Sequence, residues 1–254
     1  EAYIEQGYNI IFGTTFGYID AMAEMAEEYP DVIFLHCSGY LSNDSNFGNY
    51  FGKMYQPRYL AGLQAGEMTT SNKIGYVAAF PIPEVIRGIN AFASGVKEVN
   101  PDATVEVVWT FTWFGPEEET QAANALIETG VDVLAQHQDS PSTGVVAEAN
   151  GAKWISYHTN YGQSAAPEAY AGAPVWDWGP YYVSVVNSII DGEFSGGAYW
   201  GGMETGLVSY DTIFDQGPLA DLISGVQAEI ISGDFDPPIV EEEFIENVIG
   251  TVSP

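Results

Sequence analysis

Basic side chains are the scarcest feature of this chain. Six Lys and Arg stand against 35 Asp and Glu, a formal net charge of −29 and an isoelectric point near 4.1. A nucleic-acid surface needs clustered cations. Lys53, Arg58, Lys73, Arg87, Lys97 and Lys153 are scattered, so nucleic acid is excluded as a partner. Cysteine is nearly absent too: Cys37 stands alone in the apolar run Val32 to Cys37, which rules out an internal disulfide and reads as a buried structural thiol. No apolar run approaches the roughly 18 residues that a membrane-spanning helix needs, because Gly, Pro or charge interrupts each one. The opening Glu1-Ala2-Tyr3-Ile4-Glu5-Gln6-Gly7 lacks an initiator Met, a signal peptide and a lipid-anchoring Cys. It reads like the tail of a helix, and the expectation is a preceding segment carrying the export signal.

What is present is a well-patterned globular chain. Of 254 residues, 46% are hydrophobic and 14% aromatic, too apolar for disorder and sufficient for one large α/β domain or two small lobes. Surface acid alone confers solubility. With Lys almost eliminated, it also suits concentrated salt, where self-repulsion is screened within roughly 3 Å at 1 M. The composition reads as halophilic.

Apolar runs of strand length alternate with segments of helical spacing. Strands are predicted at 8–13, 31–36, 73–78, 104–110, 131–136 and 152–157, and helices at 19–29, 57–68, 83–100, 116–129 and 142–150. The helix at 116–129 is opened by Pro116 and the Glu117-Glu118-Glu119 triplet, placed at the positive helix end. Such alternation predicts right-handed βαβ units in parallel sheets covered on both faces. Function in such sheets gathers in the loops after the strands. Here these read Thr14 to Tyr18, Phe80-Pro81-Ile82-Pro83, Phe111-Thr112-Trp113-Phe114, His137 to Pro141 and His158-Thr159-Asn160-Tyr161. Loops so rich in aromatics point to a flat, apolar-faced ligand.

Trp109, Trp176 and Tyr181 fit as core fillers, whereas Trp113 beyond a strand and Trp178 beside Pro180 are the better platforms. Asp139 and Asp177 lie next to aromatics, where a carboxylate accepts hydrogen bonds from a base held by stacking. Asp139 before Ser140-Pro141 also fits a helix N-cap. His137 and His158 both follow strands, but no Cys or Glu at ligand spacing accompanies them, so no metal is expected. Ser140 with His137 and Asp139 has the residue types of a hydrolytic triad without the spacing for a relay. No Gly-x-Ser-x-Gly or Gly-x-Gly-x-x-Gly follows a strand. An enzyme and a dinucleotide cofactor are not expected, and no cofactor of another kind is indicated. The acidic stretch after Asp234 is expected to be peripheral.

Arg58-Tyr59-Leu60-Ala61-Gly62, the long segment Lys73 to Phe92 with Pro81-Ile82-Pro83-Glu84, Trp113-Phe114 and Trp178-Gly179-Pro180-Tyr181-Tyr182 closely resemble the basic membrane protein (Bmp) family of substrate-binding lipoproteins over about residues 8–236. The resemblance implies a type I periplasmic-binding-protein fold. Two doubly wound lobes, joined by three crossovers, would close on a purine base or nucleoside for delivery to an ABC permease, with the first strand and helix of lobe 1 lying ahead of this chain. It further implies an extracytoplasmic, lipid-anchored monomer. Lobe 1 is expected over 1–72 and about 178–210, lobe 2 over 73–177 and about 211–236, and the acidic tail over 237–254. By position in the family pattern, Phe16, Tyr18, Tyr55, Trp113, Asp139 and Trp178 line the ligand cleft, with His137, Asn160 and Asp177 beside them. Phe111, Thr159-Asn160 and Asp177 depart from what related sequences carry, so the exact base is left open, and a sugar or amino-acid binder, a nucleoside-processing enzyme and a sensory module are the rival readings.

Overall fold

The computed structural model describes residues 1–250. Its elements run α1 (Ala2–Glu5), β1 (Ile10–Gly13), α2 (Ile19–Glu28), β2 (Ile33–Cys37), β3 (Phe47–Gly52), α3 (Tyr55–Met68), β4 (Lys73–Ala78), α4 (Pro83–Val99) and β5 (Thr104–Trp109). They continue through α5 (Pro116–Glu128), β6 (Val133–His137), α6 (Ser142–Ala149), β7 (Lys153–Ile155), β8 (Tyr170–Trp176), α7 (Gly179–Ile190), β9 (Gly197–Gly201), β10 (Val208–Thr212), α8 (Pro218–Ser232) and β11 (Val248–Ile249). The expected α/β alternation is present, with parallel sheets. β3 was not foreseen: Phe47-Gly48-Asn49-Tyr50-Phe51-Gly52 has neither β-branched residues nor alternation, and its strand character comes from its pairing with two parallel neighbours.

The chain divides into two compact units, one of Glu1–Lys53 with Asp177–Leu207, the other of Met54–Trp176 with the chain from Val208 onward. In the first unit the sheet order is β1-β2-β3-β9, every pair parallel. Met22 and Ala26 of α2 pack there on Val32, Phe34 and Phe47. Asn46 closes that layer, its amide donating to the carbonyls of Ala26, Tyr29 and Val32 at 2.9, 3.2 and 2.9 Å. Orphan carbonyls at a helix end need such partners.

In the second unit the order is β10-β8-β7-β6-β4-β5-β11, with β10 the antiparallel edge. Val77, Leu126, Leu134, Trp154 and Tyr170 form the core on one face. On α3, Tyr55 to Gly66 are buried without a break, so this helix is covered all round. It interlocks with α4 through two glycines. A Cβ on Gly62 would lie 1.9 Å from Phe92 O, and one on Gly95 would lie 2.2 Å from Tyr59 O. That close approach places α3 in the second unit, where the sequence reading had put residues up to 72 in the first. The acidic segment after residue 236 is also more than a loose tail. Asn90 Nδ2 donates to Val240 O and Glu243 O, Asn247 Nδ2 donates to Ala93 O, and β11 pairs in parallel with β5. Backbone satisfaction by two buried asparagines fixes it despite its charge. Residues 251–254 of the expected tail lie outside the described residues.

Candidate functional site

Both units carry an aromatic group at the carboxyl ends of their strands. In the first, Phe12 ends β1, Tyr50 stands on β3, and Trp178 and Tyr182 open α7. Tyr50 is wholly buried, and burial, with the Tyr182 hydroxyl 3.2 Å away, pushes its phenol far above the usual range. The Trp178 ring lies 5.5 Å from Tyr50 edge-on and 6.4 Å from Tyr182 nearly parallel, while Phe12 meets Tyr182 at 4.9 Å. Such offset and edge contacts hold large rings rigid. Asp177 is exposed, and its Oδ1 accepts from Gly179 N–H at 3.1 Å, so this carboxylate fixes the first turn of α7 behind Trp178. Phe16 is half-buried and Tyr18 exposed on a 3-10 turn at Phe16–Tyr18. That turn is pinned from below by His36, whose Nε2–H donates to Thr15 O at 2.8 Å. Burial lowers the His36 imidazole below its usual range, which keeps it neutral.

The second unit gathers a different set. Phe80 follows β4, Trp113 follows β5, His137 ends β6, and Tyr157 and His158 follow β7. Trp113 is half-buried, 5.1 Å from Phe80 and 6.1 Å from His137, and Tyr157 lies 4.6 Å from His137 and 3.8 Å from His158. His137 and His158 thus flank one tyrosine. Asp139 does not cap α6, whose N-cap position is Pro141; its Oδ1 lies 2.6 Å from His158 Nε2, the better partner because both side chains are partly exposed and of opposite type. Ser140 completes no relay, since its hydroxyl donates to Glu119 Oε2 at 2.6 Å. Asn160 is exposed on the turn Asn160–Ser164, whereas Tyr55 is fully buried with its hydroxyl donating to Asp236 at 2.8 Å. The structure therefore groups Phe16, Tyr18, Asp177 and Trp178 at the strand ends of one unit and Trp113, His137, Asp139 and Asn160 at those of the other, with Tyr55 in the core of the second. A cavity of about 270 Å³ opens between the ends of β6 and β7, lined by Gln138, Asp139, Tyr157, His158 and Tyr161 among others.

Arg58 and Glu84, which the sequence offered only inside longer motifs, lie beneath this set. Arg58 is 2% exposed; its guanidinium stands 4.1 Å from the Tyr157 ring centre and 5.6 Å from that of Tyr76, and Nη1 donates to Gln136 O at 3.0 Å. Glu84, in the first turn of α4, places Oε2 3.6 Å from His137 Nε2. Burial, and then the positive charges of Arg58 and Arg87 with His158 nearby, hold the His137 imidazole well below its usual range. Burial raises the Glu84 carboxyl, against the pull of Arg87 and Arg58. A buried Arg in an Ala- and Gly-rich helix was the available signal. Two loop residues, Phe111 and His158, hold φ of 56° and 69°, a left-handed conformation that costs a non-glycine residue about 1–2 kcal/mol, so these strand-end loops are held away from their relaxed shape. Among the described residues no group of three or more His, Cys, Asp or Glu is arranged to hold a metal ion, and no helix is long and apolar enough to cross a membrane.

A family model described as "ABC transporter substrate-binding protein PnrA-like" (Bmp) matches residues 1–230. The chain belongs to this family. A Haloferax volcanii protein bearing the name of an ABC transporter glucose-binding protein is 45% identical to this Bmp-family chain over 242 residues, covering 93% of this chain and 60% of the relative. A purine-binding protein of Brucella abortus is 37% identical over 237 residues, covering 91% and 66%. The chain thus spans about three-fifths to two-thirds of these relatives. The fold matches that of a solute-binding protein from Conexibacter woesei (TM-score 0.74, 20% identity, 95% of this chain and 83% of the other). It also matches a transcriptional activator of the comK gene from Bacillus halodurans (TM-score 0.81, 21% identity, 92% and 82%). The type I binding-protein architecture expected from the motifs is therefore found, and the Haloferax relative fits the halophilic composition.

Proposed function

We propose that this Bmp-family chain is the solute-binding part of an ABC importer, works outside the cytoplasm as a monomer beside a membrane permease, and takes up a purine base or nucleoside without changing it. The observation that carries the ligand class is the half-buried Trp113 ring 6.1 Å from a neutral His137, with Asp139 N–H donating to Trp113 O and Glu84 Oε2 3.6 Å from His137 Nε2. An indole face stacks on a flat heterocycle, and carboxylates and neutral imidazole read its N–H groups rather than an anionic substituent. Ser140 donates to Glu119, and His158 rather than Ser140 pairs with Asp139, so these residues do not form the Ser-His-Asp relay that hydrolysis by a serine nucleophile needs. Glucose is the second reading, favoured by the 45% identical relative named for it; an aromatic face and carboxylate acceptors serve a pyranose as well. Calorimetric titration in molar salt with adenine, guanosine, ribose and glucose separates the two. Saturable binding of adenine or guanosine, with ribose and glucose silent, is the expected result; binding of glucose alone moves the chain to the second reading. Release of free base from guanosine overnight would instead make it an enzyme.

A further inference from the structure

Two first turns in this chain carry a glutamate drawn out of open solvent, Glu119 wholly buried and Glu84 partly so, and they differ in a further respect. Glu119 on α5 has both oxygens occupied, Oε2 by the Ser140 hydroxyl and Oε1 by Gly115 N–H at 3.2 Å. Glu84 on α4 is 22% exposed at its side chain, and among the described residues its carboxylate accepts no hydrogen bond. His137 Nε2 at 3.6 Å is beyond hydrogen-bond reach. The helix dipole favours an acid at this position, yet an exposed glutamate such as Glu117 or Glu118 gains that without being desolvated. Behind Glu84 some polar atoms also lack a hydrogen-bond partner, although Arg58 Nη1 donates to Gln136 O and the guanidinium faces Tyr157. Arg58 Nε and Nη2 and His137 Nδ1 are buried without a partner among the described residues. A Cβ on Gly88, one turn along α4, would lie 3.1 Å from Arg58 Nε and 4.0 Å from His137 Nδ1, so these orphans converge on the face of α4 that Glu84 shares. Leaving such groups unsatisfied is costly, and charges so arranged behind one open acceptor form a site that a solute completes.

We propose that Glu84 is the acceptor through which the second unit reads N–H or O–H groups of its ligand, with the buried Arg58 charge and the packed His137 ring as positioning residues beside it. This rests on the solute-binding reading and names the group that selects within it. Asp139 is the weaker candidate, because His158 already occupies one of its oxygens. The ligand class follows: heterocycles with an exocyclic amino group, or sugars with a hydroxyl at the matching place, rather than carboxylates or phosphates, which Glu84 repels.

The test is Glu84→Gln, which keeps shape and loses charge, titrated in molar salt against adenine and unsubstituted purine, and against glucose and its deoxy analogues. Melting of the variant checks its fold, and Glu84→Asp serves as a second variant. Wild type is expected to favour adenine over purine (or glucose over one deoxyglucose). Glu84→Gln should weaken the amino or hydroxyl ligand tenfold or more, and leave the analogue within twofold, with Glu84→Asp intermediate. Equal loss for both members of a pair, or no loss for either, overturns the assignment while the transport reading stands. A wild type that binds none of these solutes overturns the ligand class and this assignment together.

Discussion

The two units answer the same topological demand with different chemistry. Of the six basic residues the first unit holds Lys53 alone, and its strand ends present mainly rings, Phe12, Tyr50, Trp178 and Tyr182, with Asp177 the carboxylate beside them, its Oδ1 accepting from Gly179 N–H. The second holds both arginines and sets Arg58, Glu84, His137, Asp139 and His158 around Trp113 and Tyr157. Flat apolar faces attract any ring and discriminate poorly, whereas desolvated polar groups discriminate sharply. The difference teaches that one topology can gather rings in one stretch of the chain and buried polar groups in another.

The bluntest way to break the comparison is to remove salt. Dilution from molar salt to about 0.1 M lengthens the screening distance from about 3 to about 10 Å. The fold should then lose about 10 °C or more in Tm, and hydrogen exchange should rise first in β1 to β3, whose unit has the single cation; simultaneous loosening of both units would erase the distinction. A sharper probe is Trp178→Ala. Loss of a stacking face costs about 1–3 kcal/mol, so affinity should fall about tenfold to a hundredfold, equally for adenine and unsubstituted purine. Calorimetry giving a changed ratio between the two would assign selectivity to the first unit as well. The smallest effect is on pH. His137 and His36 are held below the ordinary imidazole value of 6.5, so the unfolded chain takes up their protons first. Each contributes stability that is complete above pH 6.5 and declines by up to about 1.4 kcal/mol per pH unit below it. Urea unfolding of His137→Gln at pH 7 and 5 should show a shallower decline than wild type; an unchanged slope sinks the account.

Much of the fold was legible because parallel strands buried on both faces announce themselves as apolar runs: Lys73–Ala78 and Thr104–Trp109 lie within a residue of their predicted limits. Phe47–Gly52 was not, since its glycines fit only once β2 and β9 are beside it. Among site residues, Trp113 and Trp178 were visible as aromatics past an element boundary. Glu84 and Arg58 were hidden, because a glutamate after Pro83 reads as ordinary helix chemistry and an isolated arginine as surface. Only the three-dimensional convergence of α3, α4 and β6 brings the two to the same strand ends.

The chain passes between the units after Lys53, after Trp176 and after Leu207, and this has a bearing on how the protein is made. Strand β3 emerges early from the ribosome, yet its partner β9 is supplied only after the whole run from Met54 to Trp176. The first unit's sheet must wait, half-built, while most of the second forms, and pairings this distant in sequence close slowly. The second unit waits in turn for β10 and β11. Neither unit is completed by the segment that starts it, so a nascent chain stopped before Gly197 holds an unpaired edge at β3, the place where aggregation during synthesis would begin.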